Sequence, residues 1–65
     1  MKVYQKISKY IEENGVKQKF ICDKTGIPEN VLSMILKGKR GLSADEFVEI
    51  VTALKTDANQ FINNN

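Results

Sequence analysis

The sequence predicts an all-α fold, a compact bundle of five short helices. Apolar residues recur at spacings of three and four almost throughout, which is the period of a helix with one buried face. No stretch alternates apolar and polar residues for long enough to predict a strand. With 65 residues the chain has room for one domain, and it shows no internal repeat and no linker. We therefore expect residues 1–65 to form a single domain.

A first amphipathic helix is expected over residues 2–13. Its apolar stripe consists of Val3, Ile7 and Ile11, with Tyr4 and Tyr10 flanking it at the edge of the core. The Asn14-Gly15 pair ends this helix, because glycine is the favoured residue where a chain turns left-handed after a helix. The stripe predicts that one side of this helix packs on the rest of the domain.

Two short helices are expected next, with a tight turn between them. The second helix covers residues 17–24 and turns Ile21 and Cys22 inward. Gly26 supplies the positive φ of the turn, and Pro28 lies in the first turn of the third helix, where its missing N–H costs nothing. The third helix runs to about residue 37, buries Leu32 and Ile35, and is ended by Gly38.

The last two helices are predicted from a capping signal and an apolar stripe. Ser43 and Glu46 form a capping box, which places the start of the fourth helix. The stripe of the fourth helix consists of Phe47, Ile50, Val51 and Leu54. Asp57 caps a short fifth helix in which Phe61 and Ile62 close the core, and residues 63–65 form a frayed tail.

Composition excludes several classes of protein. The chain has no His, so the commonest general base and metal ligand is missing, and the lone Cys22 cannot form an internal disulfide. The longest uninterrupted apolar run is three residues, too short for a signal peptide or a membrane span. No carboxylate pair, Cys–base pair or glycine-rich phosphate loop has catalytic spacing. We expect a cytoplasmic domain that is not an enzyme and has no cofactor or metal.

Charge is divided unevenly along the chain. Residues 1–40 carry nine Lys and Arg against four Asp and Glu, whereas residues 41–65 carry one against four. The two parts therefore have net charges of +5 and −3, and the whole chain has +2. A basic face of this kind is expected of a protein that binds a polyanion, although a lopsided solvated surface would give the same count.

Residues 17–37 predict a helix-turn-helix unit. Two helices that cross at about 90–120° need a small residue at their closest approach and a left-handed turn, and Cys22 and Gly26 supply these. With Leu32 and Ile35 facing the core, the outer face of the third helix consists of Glu29, Asn30, Ser33 and Met34. These four side chains lie where a helix in a major groove reaches base edges.

In this arrangement the sequence resembles the Cro/C1-type, XRE-like helix-turn-helix family, which includes the lambdoid phage repressors. The resemblance covers nearly the whole chain and depends on the order and spacing of Gln18, Cys22, Gly26, Ser33, Ile35, Gly38-Lys39-Arg40 and Ala53-Leu54. It implies a lambda-repressor-like DNA-binding domain in a bacterial or phage-encoded protein. The third helix would then enter the major groove while the second crosses the DNA backbone.

The resemblance also implies two sets of contacts with double-stranded DNA. The residues that would contact bases are Glu29, Asn30, Ser33 and Met34. The residues that would contact phosphates are Lys17, Gln18, Lys37, Lys39 and Arg40. Lys37, Lys39 and Arg40 are the strongest of these, because they place three cations in four residues directly after the third helix.

Alternative interpretations remain for several of these residues. Asn30 could be a solvated polar side chain, Ser33 could bond its own backbone, and Val31 could belong to the core instead of contacting a thymine methyl. The chain also departs from the family pattern. Pro28-Glu29 replaces the usual Ser, Thr or Gln of the third helix, and Leu36 replaces a Glu. Phe20 stands where many relatives have a polar residue. Its ring either packs on the chain's end or is exposed for a partner.

The predicted function is a sequence-specific, double-stranded DNA-binding transcription regulator. We expect a repressor that binds a pseudo-palindromic operator as a homodimer, because one small domain makes too few base contacts to outcompete a genome of other sites. Its two recognition helices would lie about 34–36 Å apart. The alternative is a protein-interaction module, an antirepressor or antitoxin-like protein, and Glu29 and Phe20 favour it. No membrane contact and no small-molecule effector are expected.

Overall fold

The computed structural model describes residues 1–62, which form five helices. They are α1 (Val3–Glu13), α2 (Gln18–Thr25), α3 (Glu29–Leu36), α4 (Ala44–Leu54) and α5 (Asn59–Ile62). No strand occurs among the described residues, so the predicted all-α fold is confirmed. The predicted frayed tail, residues 63–65, lies outside the part of the chain that the structure describes.

Left-handed glycines end α2 and α3, as predicted. Gly26 has a φ of 80°, and its N–H donates to the Cys22 carbonyl over 2.8 Å. Gly38 has a φ of 74°, and its N–H donates to the Ile35 carbonyl over 3.0 Å. These bonds satisfy carbonyls that the last turn of a helix leaves without a partner. Both turns therefore depend on residues without a Cβ.

Pro28 lies one position earlier than predicted. It is the residue that precedes α3, with an extended backbone (ψ of 148°), and α3 itself begins at Glu29. The Pro28 carbonyl accepts the first helical hydrogen bond, from the Leu32 N–H over 3.0 Å. The prediction failed because a proline fits both positions, since its φ near −65° suits either one.

The core lies where all five helices converge. The side chains that solvent does not reach, or reaches by 1% at most, are Ile7, Ile21, Leu32, Ile35, Ile50 and Phe61. Phe61 packs its ring edge-on against Tyr10 and Phe47, with ring centroids 5.6 and 6.3 Å apart. Edge-to-face contacts of this kind add to the stabilisation from buried area. The short α5 is therefore fixed to the bundle through one aromatic residue.

Ile62 does not close the core, and this part of the prediction was wrong. Its side chain is 55% exposed, whereas that of Phe61 is 1% exposed. Successive residues of a helix point about 100° apart. Because α5 is only one turn long and buries Phe61, it turns Ile62 toward the solvent.

Cys22, the small residue predicted at the closest approach of the two helices, is buried. Only 8% of its surface is exposed, and it belongs to the core cluster. Burial raises the pKa of the Cys22 thiol, and the carboxylates of Glu29 and Asp23 raise it further. A thiol in these surroundings is a packing group and not a nucleophile.

The predicted capping box at the start of α4 is present and is extended by an arginine. Ser43 Oγ accepts from the Glu46 N–H over 3.1 Å, and Glu46 Oε1 accepts from the Ser43 N–H over 3.0 Å. The same Oε1 lies 3.0 Å from Nη1 of Arg40, which also donates to the Gly41 carbonyl. The hydrogen bond from Arg40, followed by that from Ser43, lowers the pKa of Glu46 to about 2.

Among the described residues, no helix combines the length and the apolar character that a membrane-spanning segment requires.

Replacement of Gly38 by alanine should destabilise the protein more than replacement of Gly26. Both sites have positive φ, which costs a residue with a Cβ roughly 1–2 kcal/mol. A Cβ at Gly38 would also lie 2.6 Å from Oη of Tyr4, whereas a Cβ at Gly26 meets no atom within 4 Å. We expect Gly38→Ala to lower the free energy of unfolding by about 1 kcal/mol more than Gly26→Ala, measured by urea denaturation.

A double-mutant cycle checks the cause of this difference. In a Tyr4→Ala background the additional cost of Gly38→Ala should disappear, since the ring that opposes the new methyl group is gone. An additional cost that persists without the ring would contradict the assigned contact.

Stability should depend on pH through Glu46. Its pKa in the folded protein, about 2, lies below that of an unfolded glutamate, about 4.3. The charged form therefore stabilises the fold above about pH 4.3, and this contribution is lost as the pH falls toward 2. Glu46→Gln keeps an oxygen for the Ser43 N–H but loses the charge that faces Arg40.

The measurement is the urea midpoint of wild type and Glu46→Gln at pH 6, 4, 3 and 2. The difference in urea midpoint between the two proteins should be largest at pH 6 and should shrink as the pH falls. Glu49→Gln removes an exposed carboxylate of the same helix and serves as the matched control. A difference that does not change with pH would contradict the role given to the ion pair.

Candidate nucleic-acid interface

Helix α3 has one buried side and one exposed side. Leu32 and Ile35 are fully buried and fix the helix to the core. On the other side Glu29 and Asn30 are exposed, and Met34 is 43% exposed. Three of the four predicted base-contacting side chains are thus accessible on one eight-residue helix. A carboxylate, an amide and a thioether there offer an acceptor, a donor–acceptor pair and an apolar surface.

Ser33, the fourth predicted base-contacting residue, is only half-buried and lies in a shallow depression. This depression has a volume of about 310 Å³, and Gln18 from the start of α2 and Lys37 from the end of α3 line it as well. The fold therefore brings Gln18 of α2 to the same depression as Ser33 and Lys37, two predicted contact residues that lie much later in the sequence. Lys17, the residue that precedes α2, is also exposed.

Val31 and Leu36 help to hold α3 on the rest of the fold. Both side chains are half-buried and pack against the core cluster, which favours the core interpretation of Val31. The Leu36 carbonyl accepts a hydrogen bond from Ser8 Oγ of α1 over 2.9 Å. The end of α3 is thus joined to α1 through the main-chain carbonyl of Leu36. This contact does not depend on the side chain at position 36.

Lys37 and Lys39 follow α3 directly and are exposed. The Lys37 N–H donates to Ser33 and the Lys39 N–H donates to Met34, so the backbone of both residues continues the end of the helix. Within residues 1–62 neither ammonium group forms an ion pair. Both charges are therefore available to an anionic partner.

Arg40 differs from these two lysines because its guanidinium is held within the protein. Nη1 lies 3.0 Å from Glu46 Oε1 and donates to the Gly41 carbonyl over 3.1 Å, while 42% of the side chain stays exposed. Sequence reasoning assigned Glu46 to the helix cap and Arg40 to a phosphate without connecting them. The signal was weak, since the two residues are six apart across a loop where no helical spacing applies.

Phe20 faces the solvent from α2. Its side chain is 44% exposed, and the ammonium of Lys24 lies 5.7 Å from the centre of its ring. Of the two alternatives left open by the sequence, the structure favours the exposed one. The contact with Lys24 is a cation–π interaction of the kind that contributes about 0.5–1 kcal/mol at exposed sites.

The described residues contain no group of three or more Cys, Asp or Glu side chains arranged to hold a metal ion. What α3 and the residues after it present is a polar and cationic surface. Its chemistry suits hydrogen bonding to base edges and contact with phosphates.

Comparison with known proteins identifies the family. The model of the helix-turn-helix family matches residues 7–61, which include all of α2, α3 and α4 and the predicted contact residues. No curated protein and no solved structure matches the chain significantly. Since the family match covers most of the chain, the protein belongs to the Cro/C1-type, XRE-like helix-turn-helix family of DNA-binding transcription regulators.

Proposed function

We propose that the protein is a sequence-specific transcription regulator that inserts α3 into the major groove of double-stranded DNA. The observation that carries this proposal is the exposed side of α3, where Glu29, Asn30 and Met34 lie opposite the fully buried Leu32 and Ile35. The major groove admits a helix and presents a different donor and acceptor pattern for each base pair. A helix held rigidly from beneath can present its outer side chains to that pattern.

Each exposed side chain of α3 has a base partner of matching chemistry. The amide of Asn30 can bond N6 and N7 of adenine together, and the carboxylate of Glu29 can accept from N4 of cytosine. The thioether of Met34 supplies an apolar surface for a thymine methyl group. Ser33 can donate to a base or a phosphate from the depression that it shares with Gln18 and Lys37.

The phosphate contacts are proposed at both ends of the helix-turn-helix unit. Lys37 and Lys39 are exposed and form no ion pair within residues 1–62, so they can neutralise backbone phosphates next to the groove. Lys17 and Gln18 lie at the start of α2, where helical N–H groups also favour an anion. Arg40 completes this set with a guanidinium that Glu46 already holds in position.

We propose that two copies bind one pseudo-palindromic operator and act as a repressor. A single α3 exposes too few base-reading side chains to select one site in a genome, whereas two copies double the number of contacts. Occupancy of its own promoter or a neighbouring one would block transcription directly. Such a regulator acts in the cytoplasm of a bacterium, encoded by the host or by a phage.

Selection from a pool of random double-stranded DNA tests the proposal. We expect the retained sequences to share an inverted repeat whose half-sites are centred about 10–10.5 base pairs apart. Affinity should fall with salt at a log–log slope of about −0.9 for each phosphate contact. Retention without any shared motif would contradict sequence-specific binding, and a single half-site would contradict the dimer.

Two substitutions separate base contacts from phosphate contacts. Asn30→Ala should relax the preference at one position of each half-site, at a cost of about 1–3 kcal/mol for the preferred site. Lys39→Ala should weaken binding to all sequences alike and reduce the salt slope by about one for each copy bound. Both effects are measured by fluorescence anisotropy with selected and scrambled DNA.

Lys24→Ala is the matched control for Lys39→Ala, because Lys24 is also an exposed cation, lies beside the Phe20 ring and is not one of the proposed contacts. Circular dichroism confirms that each variant is folded. If Lys39→Ala and Lys24→Ala had equal effects, the proposed phosphate contact would be wrong.

A protein-interaction role is the second candidate, and the exposed Phe20 favours it. A helix-turn-helix domain that acts only on a protein partner would fail to retain DNA in the selection. If that partner binds at Phe20, the activity would also be insensitive to Lys39→Ala and sensitive to Phe20→Ser.

A further inference from the structure

A second surface feature lies beside the proposed phosphate contacts. We call it the loop groove, a concavity of about 480 Å³ between the start of α1, residues 38–43 and the start of α4. Its apolar lining comes from Tyr4, Leu42, Phe47 and Ile62, together with Val3. Ile62 is 55% exposed there, so a large aliphatic side chain, which residues 1–62 leave partly open to solvent, borders the groove.

The charged side chains that line the loop groove are all cationic. They are Lys2, Lys39 and Arg40, and none of the described lining residues is acidic. Glu46 offsets the charge of Arg40 through the ion pair. Lys2 and Lys39 carry their charges without such an offset within residues 1–62. The lining of the groove therefore combines apolar side chains with two positive charges that no carboxylate of the described residues pairs with.

We propose that the loop groove binds an acidic peptide segment of a partner protein. One apolar side chain of the segment would lie on Phe47 and Ile62, and flanking carboxylates would face Lys2 and Lys39. DNA phosphates would use the two cations but would leave the apolar lining in water. An acidic segment with an apolar residue satisfies both features, in the manner of a buried apolar anchor with a charged rim.

The position of Lys39 gives this docking a consequence. Lys39 lines the groove and is also a proposed phosphate contact, so a bound peptide carboxylate and a DNA phosphate would compete for the same ammonium group. A partner bound in the groove would therefore release the protein from DNA. This step rests on the proposed function, whereas docking of the peptide itself does not.

A displayed library of random 12-residue peptides, selected on the whole chain, tests the docking. The enriched peptides should carry acidic residues on both sides of an aromatic or aliphatic residue. A synthetic copy of the most enriched peptide should shift the amide signals of residues 38–43 in NMR spectra. Ile62→Ser and Lys2→Gln should each weaken its binding by roughly fivefold or more.

The matched controls are Lys9→Gln and Lys24→Gln, which remove the same charge from exposed lysines that do not line the groove. These variants should bind the peptide as the wild type does. Enrichment without acidic residues, or binding that Ile62→Ser leaves unchanged, would overturn the proposal.

Two further measurements distinguish peptide docking from self-association of the chain and test the competition with DNA. Analytical ultracentrifugation tests self-association. If the free protein forms a dimer that Ile62→Ser abolishes, the groove belongs to a second copy and the peptide site is overturned.

Titration of the peptide into a complex with selected DNA should release the DNA, and coexistence of the two would overturn the competition. Since Ile62→Ser lies outside the proposed DNA contacts, loss of peptide binding with retained DNA binding supports the proposal independently of α3.

Discussion

The burial of one side of α3 is the constraint on which the rest of the structure depends. A helix of eight residues is not stable in water by itself, because nucleation is costly and few hydrogen bonds repay it. Leu32 and Ile35 supply the missing stabilisation by their complete burial, and they fix the rotation of the helix about its axis. That rotation decides which side chains face outward. The surface of Glu29, Asn30 and Met34 is thus a result of packing on the opposite side.

The segment after α3 is fixed from two directions. At its start the left-handed Gly38 lies against the ring of Tyr4, so α1 limits where the chain can pass. At its end Glu46 of α4 binds both Ser43 and Arg40. The cations of this segment are therefore presented by a backbone that neighbouring helices position. A loop held in this way loses less conformational entropy when it binds a partner than a free loop would.

Helical periodicity and glycine positions predicted the five helices and the inner side of α3, because these signals are local. The errors arose where local signals allow two outcomes. A proline fits both the first turn of a helix and the position before it. An apolar residue next to a buried one on a one-turn helix can face either the core or the solvent, and Ile62 beside Phe61 faces the solvent. The Arg40–Glu46 pair was missed because it depends on the path of a loop. Which bases α3 would read depends on docking geometry and DNA shape, which the chain alone does not encode.

The shared oxygen of Glu46 has a consequence for selectivity. Oε1 serves the first turn of α4 and the Arg40 guanidinium together, so an outside anion at Arg40 must share that guanidinium or displace the carboxylate. Either outcome would reduce the gain from the proposed phosphate contact of Arg40, which would be the same at every DNA sequence. Discrimination among sites depends on the gap between sequence-independent and sequence-dependent attraction. An arginine that is already hydrogen-bonded inside the protein would weaken the sequence-independent attraction to phosphates. A larger share of the total attraction would then come from base recognition.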